Sequence, residues 1–273
     1  MAATRKQNVQ AAAGLVPAPR RRRTIVLAMI HGKGGVGKTM IAVHLAAVLA
    51  HMIDPGHTRP HRVAVVSFDP QLSAGEWAAS AGRRGLRLRF DYYPLHNDPE
   101  GIEELIESGQ YDYILIDTGG WLDNNEGIDV AMRHADRVLM PVTPDYLVLP
   151  PTVKTVREVI VPSGLPCSVI PNLWDTRNGT RKIDNLKGWI DRQGWPRPQR
   201  AIRRYDDLSD SPERGLTVPD FEAPHIRLQT MLDFSSLAHA VCPEAQDALR
   251  PIVAMLEEQE EQAEIAKMAA KAR

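Results

Sequence analysis

Cysteine is nearly missing from this chain of 273 residues. The two cysteines, Cys167 and Cys242, lie far apart and form no Cys-x-x-Cys pair. This spacing argues against a disulfide framework and against a cysteine-based metal site. The sequence therefore predicts two reduced thiols in a cytoplasmic protein.

Long apolar runs are missing as well. Proline or charge interrupts each apolar segment well short of the roughly 18 residues that span a bilayer, so no membrane span is predicted. Four arginines at 20–23 precede an apolar segment, an order that superficially resembles a twin-arginine export signal. That segment covers only residues 24–30 and runs directly into a glycine-rich loop, which is typical of a core strand.

Neither basic nor acidic residues are in clear excess. The chain carries 33 Lys+Arg and 34 Asp+Glu, a formal net charge of -1. Any nucleic-acid binding must then come from a local basic patch. At 273 residues, of which 43% are hydrophobic, the chain can bury the core of one large α/β domain.

What the sequence does contain is a phosphate-binding loop. Residues 32–39 read Gly-Lys-Gly-Gly-Val-Gly-Lys-Thr, after the apolar run 24–30 and before the amphipathic segment 40–52. In this strand–loop–helix context, backbone N–H groups and the helix N-terminus cradle nucleotide phosphates. Lys38 is expected to reach the β- and γ-phosphate oxygens, and the Thr39 hydroxyl to bind Mg²⁺. The predicted nucleotide-binding residues of the loop are Gly32, Lys33, Gly34, Gly35, Val36, Gly37, Lys38, Thr39 and Met40.

Strand-like and helix-like segments alternate along the rest of the chain. Further buried strands are predicted at 62–68, 113–116, 137–142 and 167–170, with helices at 99–108, 125–135 and 151–160. This alternation predicts an α/β fold, a doubly wound and mostly parallel sheet flanked by helices, with ligands at the carboxyl ends of the strands. The predicted organisation is a disordered basic arm at 1–23, a nucleotide-binding domain at 24–250 and a C-terminal helix at 251–273.

A second lysine, Lys33, stands at the start of the loop. With it the chain resembles the ParA/MinD family of P-loop ATPases, whose deviant phosphate loop reads Lys-Gly-Gly-x-Gly-Lys-Ser/Thr. The resemblance spans roughly residues 24–250. It implies ATP and Mg²⁺ as cofactors, slow partner-stimulated hydrolysis, and an ATP-sandwich homodimer in which Lys33 reaches the nucleotide of the facing subunit.

Two aspartates follow predicted strands. Asp117 begins an Asp-Thr-Gly-Gly segment, where a carboxylate can hold a magnesium-bound water and the Gly120 N–H can meet the γ-phosphate. Asp69 matches the second aspartate of the family's Asp-x-Asp-Pro-Gln segment, which orients the attacking water, whereas Ser67 replaces the first. We therefore expect Lys33, Lys38 and Asp69 to be catalytic, and Thr39, Asp69 and Asp117 to lie at the metal.

Two further predictions concern the contact to the adenine base of the nucleotide and the contacts to DNA. Asn172 follows the strand 167–170 at the position of the family's base-binding loop, so the resemblance implies a contact to adenine. The region 177–214 is rich in cations. An interspersed set of aspartates fits an ordinary solvated surface, but in partition members of the family the corresponding basic residues bind DNA without sequence preference. The predicted DNA contacts are Arg181, Lys182, Arg203 and Arg204.

The resemblance favours a ParA-type partition ATPase that is cytoplasmic and nucleoid-associated. It would bind double-stranded DNA as a homodimer and respond to a ParB-like or other cargo adaptor. A MinD-like positioning factor would need membrane affinity, but the apolar face of the C-terminal helix is mostly alanine, so we expect no membrane contact. A conjugative DNA-processing accessory and a metabolic ligase related to dethiobiotin synthetase remain open. Iron-protein relatives are disfavoured because their cluster-binding cysteines are absent.

Overall fold

Six parallel strands form the centre of the molecule. The computed structural model describes residues 23–52, 59–71, 73–119, 125–243 and 246–271, so nearly all of the predicted basic arm lies outside it. The strand order is β3-β2-β4-β1-β5-β6. The strands are β1 (Ile25–Met29), β2 (Val63–Ser67), β3 (Asp91–Pro94), β4 (Tyr113–Asp117), β5 (Arg137–Val142) and β6 (Cys167–Pro171).

Helices cover both faces of this sheet, which confirms the predicted doubly wound α/β fold. The first four are α1 (Lys38–His51), α2 (Ser73–Arg83), α3 (Ile102–Ser108) and α4 (Asn125–His134). Between β5 and β6 lie α5 (Leu149–Thr155), a π-helical turn (Val156–Ile160) and the short α6 (Val161–Ser163). After β6 come α7 (Arg181–Arg192), α8 (Asp206–Arg214), α9 (Pro224–Val241) and α10 (Gln246–Lys271).

The strands alternate their side chains between two cores. In β1, Leu27 and Met29 pack on one face, against α1 and α9, whereas Val26 and Ala28 pack on the other, against the helices of the α4 and α7 side. Because both faces are buried, the strands are continuous apolar runs, and this is why most of them are recognisable in the sequence. Helix α1 is buried along most of its length, which fixes the loop that precedes it.

Two elements differ from the expectations. Strand β3 at the sheet edge was not predicted, because its exposed and half-buried residues give no apolar run. Helix α10 begins at Gln246 and packs on α9, so the boundary predicted at residue 251 falls inside a helix. In the described ranges, no helix is long and apolar enough to cross a membrane.

Candidate nucleotide-binding site

The phosphate loop joins β1 to α1 at the carboxyl edge of the sheet. Gly35 and Gly37 take positive φ angles of 73° and 92°, which side chains disfavour. At Gly37 a Cβ atom would lie 2.4 Å from Asn172 Nδ2, so the loop also needs glycine for space. Glycines, Lys38, Thr39 and Met40 line one wall of a cleft of about 450 Å³, within the range of nucleotide-sized pockets.

Lys38 and Asp117 lie at the inner end of the site. Lys38 is 7% exposed and lines the cleft, and Asp117 is completely buried at the end of β4. Burial raises the pKa of Asp117 to about 7, while the Thr39 hydroxyl and the Lys38 ammonium lower it and Asp69 raises it. Neither carboxylate oxygen of Asp117 has a hydrogen-bond partner of ordinary geometry among the described residues.

These oxygens fit a magnesium ion. Mg²⁺ prefers oxygen ligands and keeps several waters, so a buried carboxylate without partners beside the Thr39 hydroxyl is a suitable donor set. Thr39 would then hold the ion directly, and Asp117 would hold it directly or through a water.

Asp69 occupies the opposite wall of the cleft. Its carboxylate is 8% exposed and accepts hydrogen bonds from the Gln71 N–H at 3.0 Å and the Ser73 hydroxyl at 3.4 Å. The Asp69 N–H donates to the Ser67 hydroxyl at 3.3 Å, so the serine that replaces the family's first aspartate supports this turn. Gly119 lies against Asp69, since a Cβ there would approach Asp69 Oδ1 to 3.4 Å. The predicted γ-phosphate contact, Gly120, lies outside the described residues.

A buried histidine that the sequence did not single out anchors the loop. His31 Nδ1 accepts the Lys33 N–H at 2.8 Å, and His31 Nε2 lies 3.0 Å from the Thr152 hydroxyl. Since Thr152 donates to the Val148 carbonyl, the imidazole must be the donor, so its proton is on Nε2. Burial, with a smaller effect of the Lys38 ammonium, lowers the pKa of His31 to about 4 and keeps it neutral.

Asn172, the predicted base contact, supports the phosphate loop in the structure. Its side chain is completely buried, and Nδ2 donates to the Val36 carbonyl at 2.7 Å. Its Oδ1 atom is buried and has no hydrogen-bond partner among the described residues, so the contact to adenine stays a prediction. Through the bond to Val36, Asn172 supports the phosphate loop from the end of β6. The adjacent Leu173 has a positive φ of 55°, a strained conformation for leucine, which marks this turn as constrained by its surroundings.

The two lysines of the loop point to different places. Lys38 lies in the cleft, whereas Lys33 does not line it. The Lys33 ammonium is 3.8 Å from Asp145 Oδ2, and both side chains are substantially exposed, at 36% and 54%. One loop therefore presents one cation to its own nucleotide site and another to the molecular surface.

Helix α8 forms the far wall of the cleft through Pro212. It is held against α2 by Trp77, whose indole N–H donates to the Leu216 carbonyl at 2.9 Å. Gly215 is required here, because it has φ +63° and a Cβ would lie 2.3 Å from the Ala81 backbone nitrogen. Trp77 is 1% exposed and belongs to the core.

The four predicted DNA contacts separate into two groups. Arg181 and Lys182, at the start of α7, and Arg204 are exposed. Arg203 is 9% exposed, and its guanidinium pairs with Asp233 at 3.4 Å and Glu260 at 3.5 Å. These buried pairs occupy the Arg203 guanidinium and argue against the predicted DNA contact by Arg203.

A glycine-rich loop between β1 and α1, with a buried aspartate at the end of the adjacent β4, defines a P-loop nucleotide-binding protein. A model of the CobQ/CobB/MinD/ParA nucleotide binding domain matches residues 27–218, and the chain belongs to this family. The predicted ParA/MinD resemblance is confirmed, and the chain is thus a P-loop ATPase by family.

Individual relatives are consistent with this placement. The chain is 33% identical over 216 residues to the maintenance of carboxysome distribution protein A of Gloeobacter kilaueensis, over 76% of this chain and 94% of that protein. The septum site-determining protein MinD of Pyrococcus horikoshii, solved with Mg-ADP, shares 20% identity over 78% of this chain and 96% of its own, with a TM-score of 0.58. A ParA family ATPase of Chlorobium tepidum shares 21% identity over 78% of this chain and 98% of its own, with a TM-score of 0.54. The two solved structures support the fold alone.

Proposed function

We propose that this chain is a positioning ATPase that dimerises when it binds ATP, binds DNA without sequence preference and distributes a large cellular cargo. A cargo adaptor, ParB-like or of another kind, would stimulate its slow hydrolysis. The observation that carries this proposal is the separation of the two loop lysines, Lys38 in the cleft and Lys33 on the surface.

Hydrolysis would use groups that already stand in the cleft. Lys38 and the loop N–H groups bind the phosphates, and Asp69 on the opposite wall orients the attacking water. Magnesium, held through Thr39 and Asp117, would neutralise the charge that develops on the phosphate oxygens. Because the Asp69 carboxylate already accepts two hydrogen bonds from its own turn, it is positioned but only partly available, which fits slow turnover before a partner acts.

Dimerisation would explain why the phosphate loop carries Lys33 in addition to Lys38. A lysine outside its own cleft can reach the nucleotide of a facing copy, so that ATP binding changes the assembly state. The exposed pair with Asp145 is too weak to hold Lys33 in place, since such pairs contribute no more than about 1 kcal/mol.

DNA binding would use the exposed cations Arg181, Lys182 and Arg204. A dimer doubles this patch, so affinity for a phosphate backbone rises steeply when ATP is bound. Such a dimer would be associated with the nucleoid. The cargo is inferred from the carboxysome distribution relative, whose length this chain matches almost entirely, and partition of DNA itself is the alternative cargo.

The direct test is DNA binding with ADP, ATP and a non-hydrolysable ATP analogue, measured by fluorescence anisotropy at several stated salt concentrations. We expect binding to two unrelated duplexes with ATP or the analogue, and little with ADP. The double variant Arg181→Ala/Lys182→Ala should weaken both duplexes equally and lower the salt slope by roughly 0.9 for each phosphate that is no longer neutralised. The control is Arg89→Ala, an exposed arginine paired with Asp220 beside the opposite sheet edge. Equal binding with ADP and ATP would refute the proposal.

Membrane-based positioning is the second candidate. The observation in its favour is the exposure of Ile265 and Met268 on α10, at 60% and 70%. The exposed acids Glu257, Glu258 and Glu261 on the same helix oppose binding to an anionic surface. Co-sedimentation with anionic liposomes in the presence of ATP separates the candidates, and we expect the protein to stay in the supernatant.

A further inference from the structure

A second cavity lies at the opposite end of α1 from the phosphate loop. Its volume is about 770 Å³, larger than that of the nucleotide cleft and within the range of small-molecule sites. Helices α9 and α10 and the turn Val218–Asp220 supply most of its lining, together with His51, the last residue of α1. Over the 14 residues of α1 the distance from Lys38 is about 20 Å, so a ligand here leaves the nucleotide site free.

The lining of this cavity is mostly apolar. Leu228 and Met231 contribute from α9, and Met255, Leu256 and Ala263 from α10. Met255 is 48% exposed although it lines the cavity, so a ligand would remove apolar surface from water there. Methionine side chains are flexible and adapt to the shape of an apolar ligand. The cavity can therefore hold an apolar chain.

The charged groups of the lining are all of one sign. No aspartate or glutamate among the described residues lines the cavity, although α10 carries the exposed acids Glu257, Glu258 and Glu261 elsewhere on its surface. The ionisable residues that do line it are His51, His225 and Arg227. A cleft lined by basic groups alone attracts a negatively charged ligand.

Arg227 supplies the permanent positive charge of this lining, since a guanidinium is always protonated in proteins. Burial, with a smaller effect of Arg89, lowers the pKa of His51, so this imidazole is mostly neutral at pH 7. Arg227 Nη1 donates to the Phe221 carbonyl at 3.1 Å, which orients the guanidinium and uses one of its five N–H donors. The planar fork of a guanidinium matches the two oxygens of a carboxylate.

The size of the cavity favours a small molecule over a protein partner. Eleven residues line it, whereas a stable protein interface takes about 20–30 residues from each side. We propose that this cavity binds a small amphiphile of the fatty-acid class, with one apolar chain and a terminal carboxylate. The chain lies between α9 and α10, and the carboxylate pairs with Arg227. Binding requires neither ATP nor a second copy, so this site is independent of the proposed function.

The first test is isothermal titration calorimetry with decanoate below its micelle-forming concentration, and with decanol as a ligand of equal length without the charge. We expect one decanoate per chain, bound at least tenfold more tightly than decanol. Arg227→Gln should raise the decanoate dissociation constant at least tenfold and leave that of decanol within twofold. The control is Arg157→Gln, an exposed arginine of the π-helical turn on the other face of the sheet, which should bind like the parent.

A second pair of variants tests the location. Ala263→Trp places a large side chain in the cavity and should abolish decanoate binding. Ala254→Trp, on the same helix but outside the described lining, should leave decanoate binding unchanged. Both alanines are exposed, so both variants should fold. An unchanged Tm and an ATP affinity within twofold of the parent verify this.

Photolabelling gives a readout that needs no variant. A diazirine derivative of decanoate should label peptides of α9 or α10, and free decanoate should prevent the labelling. Absence of decanoate binding, binding that survives Ala263→Trp, or an equal loss of decanoate and decanol in Arg227→Gln would overturn the proposal. Tighter binding of an acidic amphipathic peptide at this cavity would also overturn it, because the cavity would then belong to a partner protein.

Discussion

Replacing Arg203 by alanine should damage stability and leave the DNA interface intact. Asp233 is 1% exposed and pairs with Arg203 and Arg200, each at 3.4 Å. Removing one member of a buried ion pair costs about 3–5 kcal/mol when the remaining charge is left uncompensated. Here Arg200 and the backbone N–H at position 203 still serve Asp233, so we expect the free energy of unfolding to fall by about 2–3 kcal/mol.

Denaturant and thermal unfolding measure this loss directly. For a chain of this size, the expected decrease in Tm is roughly 5–10 °C. The matched control is Arg204→Ala, next in sequence but exposed, which should change stability by less than about 0.5 kcal/mol. The effects on DNA affinity should be the reverse. Arg204→Ala should bind DNA more weakly than the parent, whereas folded Arg203→Ala should bind DNA as the parent does. Normal stability of Arg203→Ala together with weak DNA binding would refute the assignment.

The loss should also depend on pH. Burial raises the pKa of Asp233 from 3.8 to about 6, and the Arg203 charge opposes this shift. A raised carboxyl pKa means that the folded state holds the Asp233 proton more tightly than the unfolded state does. Protonation of Asp233 therefore stabilises the folded state below about pH 4, and this contribution is lost as pH rises through about 6. Without Arg203 the pKa rises further. The difference between Arg203→Ala and the parent should therefore be larger at pH 8 than at pH 5.

Three further variants test the site. Lys38→Ala should abolish ATP binding in a fluorescent-nucleotide titration, and retained affinity would contradict the phosphate-loop assignment. Asn172→Ala removes the 2.7 Å hydrogen bond to the Val36 carbonyl and leaves that buried carbonyl unpaired, so ATP affinity should fall about tenfold; an unchanged titration would contradict its supporting role. Gly215→Ala should lower the free energy of unfolding by more than about 2 kcal/mol, because Cβ would meet the Ala81 backbone, whereas Gly164→Ala, also at positive φ but in open space, should cost about 1 kcal/mol. Equal costs in chemical unfolding would show that the contact with Ala81 is unimportant.

The sequence predicted the parts of the site that depend on local patterns. The phosphate loop is recognisable because glycines, Lys38 and Thr39 are consecutive between a strand and a helix. Asp69 and Asp117 are recognisable because they follow buried apolar strands. In a parallel sheet those strand ends meet at one edge, so nearness in space follows from the fold.

The parts that depend on distant contacts were not predictable. His31 is fixed by Thr152, 121 residues away, and Arg203 is buried by Asp233, 30 residues away. Nothing in the local sequence distinguishes Arg203 from the exposed Arg204. The hydrogen bond from Asn172 to the Val36 carbonyl joins residues 136 positions apart, so its support of the phosphate loop has no local signal. Strand β3 lacks an apolar run because it lies at the sheet edge.

The central claim is that ATP bound by Lys38 causes a second copy to be engaged by Lys33. Multi-angle light scattering of the Asp69→Ala protein tests it most directly, with ATP and Mg²⁺ compared with ADP and Mg²⁺. We predict the mass of a dimer with ATP and the mass of a monomer with ADP. Adding Lys33→Ala should restore the monomer while ATP remains bound. A monomer in the ATP-loaded Asp69→Ala protein, or a dimer that persists without Lys33, would contradict the account.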